Sequence, residues 1–206
     1  MPKQREGIYE KILECAKKEF LEKGFLDASL RSIAAMADTT TGTIYSRFGG
    51  KEGLFSALVE PVADYIINLF LKTQETFHSI EPEEQPHQMD KYVTGGMMAM
   101  LDYIYEHFQE FSLLLDASYG TKFQNFVETL VEIETEYTYK YMEDINFQGE
   151  ESEVITEEFI HIMTRALFES MFEVVRHKMP KEQAVKYMNM LAKFHYGGWG
   201  TILDLE

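Results

Sequence analysis

Between Thr39 and Leu54 the chain reads TTTGTIYSRFGGKEGL, a run of threonines followed by one tyrosine, one serine, one arginine and a Gly-Gly-Lys. Donors and acceptors at this density suit a catalytic loop, a phosphate cradle or a DNA-reading helix. Two other spacings could do chemistry. Glu75 to His78 and Glu158 to His161 are both Glu-x-x-His, which sets a carboxylate and an imidazole on one helix face as in di-iron bundles. Such a site also needs inward glutamates from two further helices, and an acidic chain offers so many that two matches carry little weight. Gly197-Gly198-Trp199-Gly200 lacks the strand-turn-helix context of a nucleotide loop, and no G-x-S-x-G, P-loop or H-E-x-x-H occurs. Cys15 lies among apolar neighbours and reads as inert core. As the single cysteine it forms no intramolecular disulfide, so a reducing compartment, the cytoplasm, is expected.

Elements must position these groups, and composition bounds what those elements are. The 206 residues are 45% hydrophobic, enough for a substantial core. No uncharged apolar run approaches the roughly 18 residues of a membrane span, so no membrane partner is expected. The net charge of −16 is uneven. Residues 1–60 hold nine Lys/Arg and nine Asp/Glu, which leaves ten of the 19 basic and 26 of the 35 acidic residues to the remainder. If any part approaches a polyanion it is the first, because the rest is repelled by phosphate.

Apolar residues recur at three and four positions almost throughout, so the chain reads all-α. The spacing predicts a first helix over 6–23 with Ile8, Ile12, Ala16 and Phe20 on one stripe, stopped by Gly24. Ser29 is the expected N-cap of a short second helix and Thr40 of a third ending at Phe48, where Gly49-Gly50 breaks it. A long helix follows over 51–77, then a loop over 79–88, helices over 90–106, 109–117 and 122–145, and a second loop at 146–152. A wide apolar stripe predicts a helix over 154–178, and Pro180 opens the last one. Gly197, Gly198 and Gly200 interrupt that last helix, each at a cost of about 1 kcal/mol, which suggests a close helix approach or a bend.

Two short helices joined by a tight turn over a longer one describe a helix-turn-helix, with residues 40–48 as its recognition helix. Ile44 and Phe48 form its buried face and leave Thr41, Thr43, Ser46 and Arg47 outward. SLRSIAAMADTTTGTIYSRFGGKEGL resembles the signature of TetR-family transcriptional regulators: Gly42, Thr43, Ile44, Tyr45, Phe48, Lys51, Glu52 and Leu54 match in order and spacing. The segment 12–25 also matches the family's first helix. Asp38 stands where the family usually has a turn glycine, and Asp tolerates left-handed geometry. Thr39 replaces a small aliphatic residue.

The resemblance implies a three-helix DNA-binding domain over 1–50 and a larger helical ligand-binding and dimerisation domain over 51–206, about nine helices in all. It also implies a double-stranded DNA operator, a homodimer and a small hydrophobic effector, with no cofactor and no metal. Ser29, Thr40, Tyr45 and Lys51 would meet the DNA backbone; Thr41, Thr43, Ser46 and Arg47 would enter the major groove, where Arg47 could take a guanine, and Arg31 and Gly42 belong to the expected DNA-binding set. An effector would shift the helix over 51–77 and so change the spacing of two recognition helices. Dimerisation is expected through Phe168, Met171, Val175, Met188, Ala192, His195 and Trp199. The expected pocket walls are Met97, Met100, Tyr103, Phe111, Phe123, Phe126, Phe159 and Met163, and acidic neighbours such as Glu134, Glu158 or Glu169 would suit a lipophilic cation. A di-iron carboxylate bundle and a helix-turn-helix module that binds a protein partner instead of DNA are the alternatives.

Overall fold

Helix caps set the element boundaries in the computed structural model, which describes residues 3–147 and 155–203. Among the described residues there are nine helices and no strand. They fall into two compact units, one formed by described residues of 1–65 with 107–126, the other by 66–106 with 127–206. A division at residue 50 therefore does not follow the packing.

In the first unit, α1 (Lys3–Asp27) buries Ile12, Ala16 and Phe20. Gly24, at φ +71°, breaks the regular helix where expected, although the helical stretch resumes to Asp27. The first turn of α2 (Leu30–Met36) is capped by Ser29, whose hydroxyl accepts from the Ser32 N–H. Asp38 takes φ +54° in the turn, the left-handed conformation that its short polar side chain tolerates. α3 (Thr41–Phe48) is capped by Thr40 and ends at Gly49, φ +75°. The start of α4 (Lys51–Phe77) crowds α3 closely: a Cβ on Gly53 would stand 1.8 Å from the Phe48 carbonyl oxygen. Only a residue without a side chain fits there. α6 (Phe108–Asp116) completes this unit through buried Phe111 and Leu114, a Lys17–Glu110 ion pair at 2.6 Å and a Phe25 N–H donated to the Ala117 carbonyl.

The second unit takes the later half of α4 together with α5 (Gln85–Glu106), α7 (Phe126–Asp144), α8 (Glu157–Arg176) and α9 (Lys181–Ile202). α5 begins inside the segment expected as loop, because Pro86 falls in its first turn, where a missing N–H costs nothing. Residues 122–125 are turns rather than the start of α7, tied by the Thr121 hydroxyl accepting from the Phe123 N–H. Thr156 caps α8 by accepting from the Phe159 N–H; Val154 and residues 148–152 of the expected second loop lie outside the described residues. α9 runs unbroken through its three glycines, and among the described residues nothing crowds the space beside them. Among the described residues α4 has the length and hydropathy to cross a membrane. Its Leu54, Phe55, Val59, Val62 and Ile66 are buried against protein, which makes it a core helix.

Candidate nucleic-acid interface and ligand cavity

α3 is held from below and open above. Ile44 is fully buried, while half-buried Phe48 stacks on Tyr9 at 5.0 Å between ring centroids. Thr40 Oγ1 accepts from the Thr43 N–H at 3.2 Å and lies 3.1 Å from Thr43 Oγ1. Gly42, Ser46 and Arg47 are exposed, Thr41 and Thr43 half-buried, and Tyr45 is 59% exposed. Arg31 is exposed on α2, and Ser29 is half-buried. These groups therefore share one unit, with the recognition helix presenting hydroxyls, a phenol and a guanidinium to solvent.

Lys51 is placed differently from the expected phosphate contact. Its Nζ donates to the Leu26 carbonyl at 2.8 Å and the Ala28 carbonyl at 3.0 Å, and it sits 4.9 Å over the Phe25 ring. Free carbonyls at the end of a helix attract a cation, and this one closes the α1–α2 connection. Glu19, which sequence reasoning missed, does the matching work from α1. It is 3% exposed and accepts from Lys23 Nζ at 2.8 Å, the Ser29 N–H at 3.1 Å and the Ser32 hydroxyl at 2.8 Å. Burial alone would raise its pKa, but these donors outweigh burial and hold the carboxyl below its ordinary value. The capping role of Ser29 is thus itself positioned by a buried charge. A glutamate five residues before the helix-ending Gly24 carries no recognisable signal of this.

The second unit holds a cavity of about 150 Å³ that opens to solvent. Met97 and Met100 line it as expected. Tyr103, Phe111, Phe123, Phe126, Phe159 and Met163 do not: Phe111 is core of the first unit, Phe123 packs on Phe55, and Phe159 packs edge-on against Trp199. The walls come instead from Phe70, Thr73, Gln74, Phe77 and His78 of α4, from Tyr92 of α5, and from Glu134, Tyr137, Thr138 and Tyr141 of α7. Phe168 and Met171 of α8 and His195, Tyr196 and Trp199 of α9 complete them.

Four residues expected at a dimer seam, Phe168, Met171, His195 and Trp199, therefore face this cavity, and Val175, Met188 and Ala192 are buried within the single chain. These side chains pack into the interior of this chain rather than standing outward for a partner. Among the described residues the large apolar side chains left outward on these helices are Ile162, Met190 and Phe194, the last 76% exposed.

Polar groups in the cavity are few. Gln74 Nε2 donates to Glu134 Oε2, and burial pushes the Glu134 carboxyl up to about 7 even though part of the residue remains accessible. His78 Nδ1 lies 2.9 Å from Asp144 Oδ2, so this imidazole pairs with an aspartate of α7 rather than with Glu75. His161 Nε2 stands 3.6 Å from Glu128. Among the described residues no three His, Cys, Asp or Glu side chains converge as a metal would require.

Residues 12–58 match the family described as bacterial regulatory proteins, tetR family, and this segment of the chain is a TetR-family helix-turn-helix domain. A similar curated protein is the uncharacterized HTH-type transcriptional regulator YvdT of Bacillus subtilis strain 168, 40% identical over 68 residues; the match spans 33% of this chain and 35% of that relative. Among solved structures, a TetR-family regulator from Syntrophomonas wolfei is 20% identical with a TM-score of 0.60, covering 98% of both chains. NalD of Pseudomonas aeruginosa, the secondary repressor of the MexAB-OprM multidrug efflux pump, is 19% identical with a TM-score of 0.59 over 95% of this chain and 97% of its own. These two likenesses extend the shared fold over nearly the whole chain.

Proposed function

We propose that this protein is a ligand-responsive transcriptional regulator that binds a palindromic DNA operator as a homodimer, represses from it, and leaves it when a small hydrophobic effector occupies the second unit. The observation that carries this is α3, buried by Ile44, capped by Thr40 and turning Thr41, Thr43, Tyr45, Ser46 and Arg47 outward inside the TetR-family segment. Hydroxyls and the exposed helix start suit phosphate oxygens, threonine methyls suit thymine, and a guanidinium suits the guanine edge. A two-fold operator requires two heads at fixed separation, and exposed Ile162, Met190 and Phe194 beside the open glycines of α9 supply an apolar face for a second copy. α4 supplies Lys51 to the first unit and Phe70 to Phe77 to the cavity walls, so a ligand that moves it changes the separation of the two heads. The similar SmeT of Stenotrophomonas maltophilia, a repressor of a multidrug efflux pump, has been solved as a triclosan complex. This supports a small-molecule role for the cavity. No catalytic function is assigned.

The test is to incubate purified protein with sheared genomic DNA, recover bound fragments at moderate salt and sequence them. Enrichment of a short inverted repeat, with affinity falling as salt rises, is expected. Absence of any enriched sequence overturns the reading. For the sign of regulation, a reporter under the recovered operator rises on deletion of this gene if the protein represses.

A further inference from the structure

The geometry points to an elongated lipophilic monocation as the effector, its ammonium on Glu134 and a hydrogen-bond acceptor at its far end on the Tyr141 hydroxyl. This rests on the reading of the cavity as an effector site and goes beyond it by naming the ligand's chemistry. Glu134 and Tyr141 lie on one face of α7, seven residues and about 10 Å apart at the helical rise. Tyr137 lies between them on α7, and Tyr92 and Trp199 add aromatic wall from α5 and α9, surfaces that favour a flat apolar body and tolerate a cation.

Charge selects the sign of the ligand. Among the described residues no lysine or arginine lines the cavity. α4 presents Gln74 and His78, the latter already paired with Asp144, and α8 presents only Leu167, Phe168 and Met171. α5 and α9 add the phenols Tyr92 and Tyr196 and the imidazole His195, which burial keeps below its ordinary pKa and hence neutral at pH 7. An anion entering here meets no counter-charge, whereas a cation meets one carboxyl whose partner among the described residues is the neutral amide of Gln74.

The second pole stands on an independent observation. Tyr141 is 4% exposed, lines the cavity, and among the described residues its hydroxyl has no hydrogen-bond partner. A buried phenol left unsatisfied costs free energy that a ligand acceptor recovers. Burial, with Tyr196 nearby, pushes this phenol up to about 12, so it stays protonated and donates.

Three isosteric fluorescent probes test this: dansylcadaverine, whose chain ends in an ammonium; hexyl dansylamide, which ends in a methyl; and dansyl-aminohexanoate, which ends in a carboxylate. All carry sulfonyl acceptors at the dansyl end. Dansylcadaverine is expected to bind at least about tenfold tighter than the neutral probe, and the anion weakest. Its affinity rises as pH increases through about 7, where Glu134 sheds its proton, while the neutral probe shows no such rise. Glu134→Gln removes the preference for the cation and leaves the neutral probe where it was. Tyr141→Phe weakens the cationic and neutral probes alike by about threefold or more. Equal binding of the three probes, a charge preference that survives Glu134→Gln, or binding of none of them overturns the inference. The same preparation is tested on genomic DNA: fragments recovered without probe binding sink the ligand class and leave the regulator standing, and probe selectivity without recovered DNA does the reverse.

Discussion

In the unit that carries the helix-turn-helix, polar groups close on one another; in the unit that carries the cavity, some are left facing space. Glu19 satisfies Lys23, Ser29 and Ser32, Thr40 satisfies Thr43, and Lys51 satisfies two carbonyls at the end of α1. The cavity instead keeps a carboxyl at a raised pKa and a phenol that has no partner among the described residues. A rigid DNA-reading surface needs its helices held at one angle, and completed hydrogen bonds do that. A ligand site needs groups whose partners arrive with the ligand.

The largest expected break in this contrast is Gly53→Ala, which drives a methyl into the Phe48 carbonyl. It should cost about 3 kcal/mol and abolish operator binding, read by thermal unfolding and DNA titration. Next, Glu19→Ala should cost about 2 kcal/mol at pH 7. Since Glu19 titrates below its ordinary value of 4.5 in the folded chain, its contribution is complete above that pH and disappears as acid protonates it. Urea unfolding of both proteins at pH 7 and near pH 3 should show the gap narrowing. Arg47→Ala leaves stability within about 0.5 kcal/mol but lowers operator affinity roughly tenfold and relaxes one base position. The smallest effect sharpens the contrast from the other side. Glu134→Gln should stabilise the ligand-free protein by about 1 kcal/mol above pH 7, a Tm gain of about 2–4 °C. Glu134 titrates near 7 when folded against 4.5 ordinarily, so charging it opposes folding across that interval; the gain grows from pH 4.5 to 7 and vanishes in acid. A Gln substitution that destabilised at every pH would mean Glu134 is a structural group like Glu19.

The helix-turn-helix was legible because its instructions are local. Caps at Ser29 and Thr40, the left-handed Asp38 and Gly49, and the span of α4 all follow from residues within a turn of the feature they control. Where the reading went wrong, a distant element had decided. Phe168, Met171, His195 and Trp199 are expected at a dimer seam from the family resemblance, yet they line the cavity, because an apolar helix face reports burial and is silent on which helix buries it. Phe111, Phe123 and Phe126 were assigned to a pocket by composition, whereas residues 107–126 pack with the first unit. Glu134 and Tyr141 share a helical face with Tyr137 and Thr138, a stripe that sequence alone could have offered as one side of a site.

Fold class, the capped reading helix and the excess of negative charge after residue 60 were determined by the sequence, since they depend on propensity, capping and simple summation. Only the tertiary structure decided that Lys51 closes a helix end, that Gly53 admits no methyl, and that Gln74, Glu134 and Tyr141 surround unfilled space. Each of these depends on distances between residues of different helices, and those distances are set by how whole faces pack.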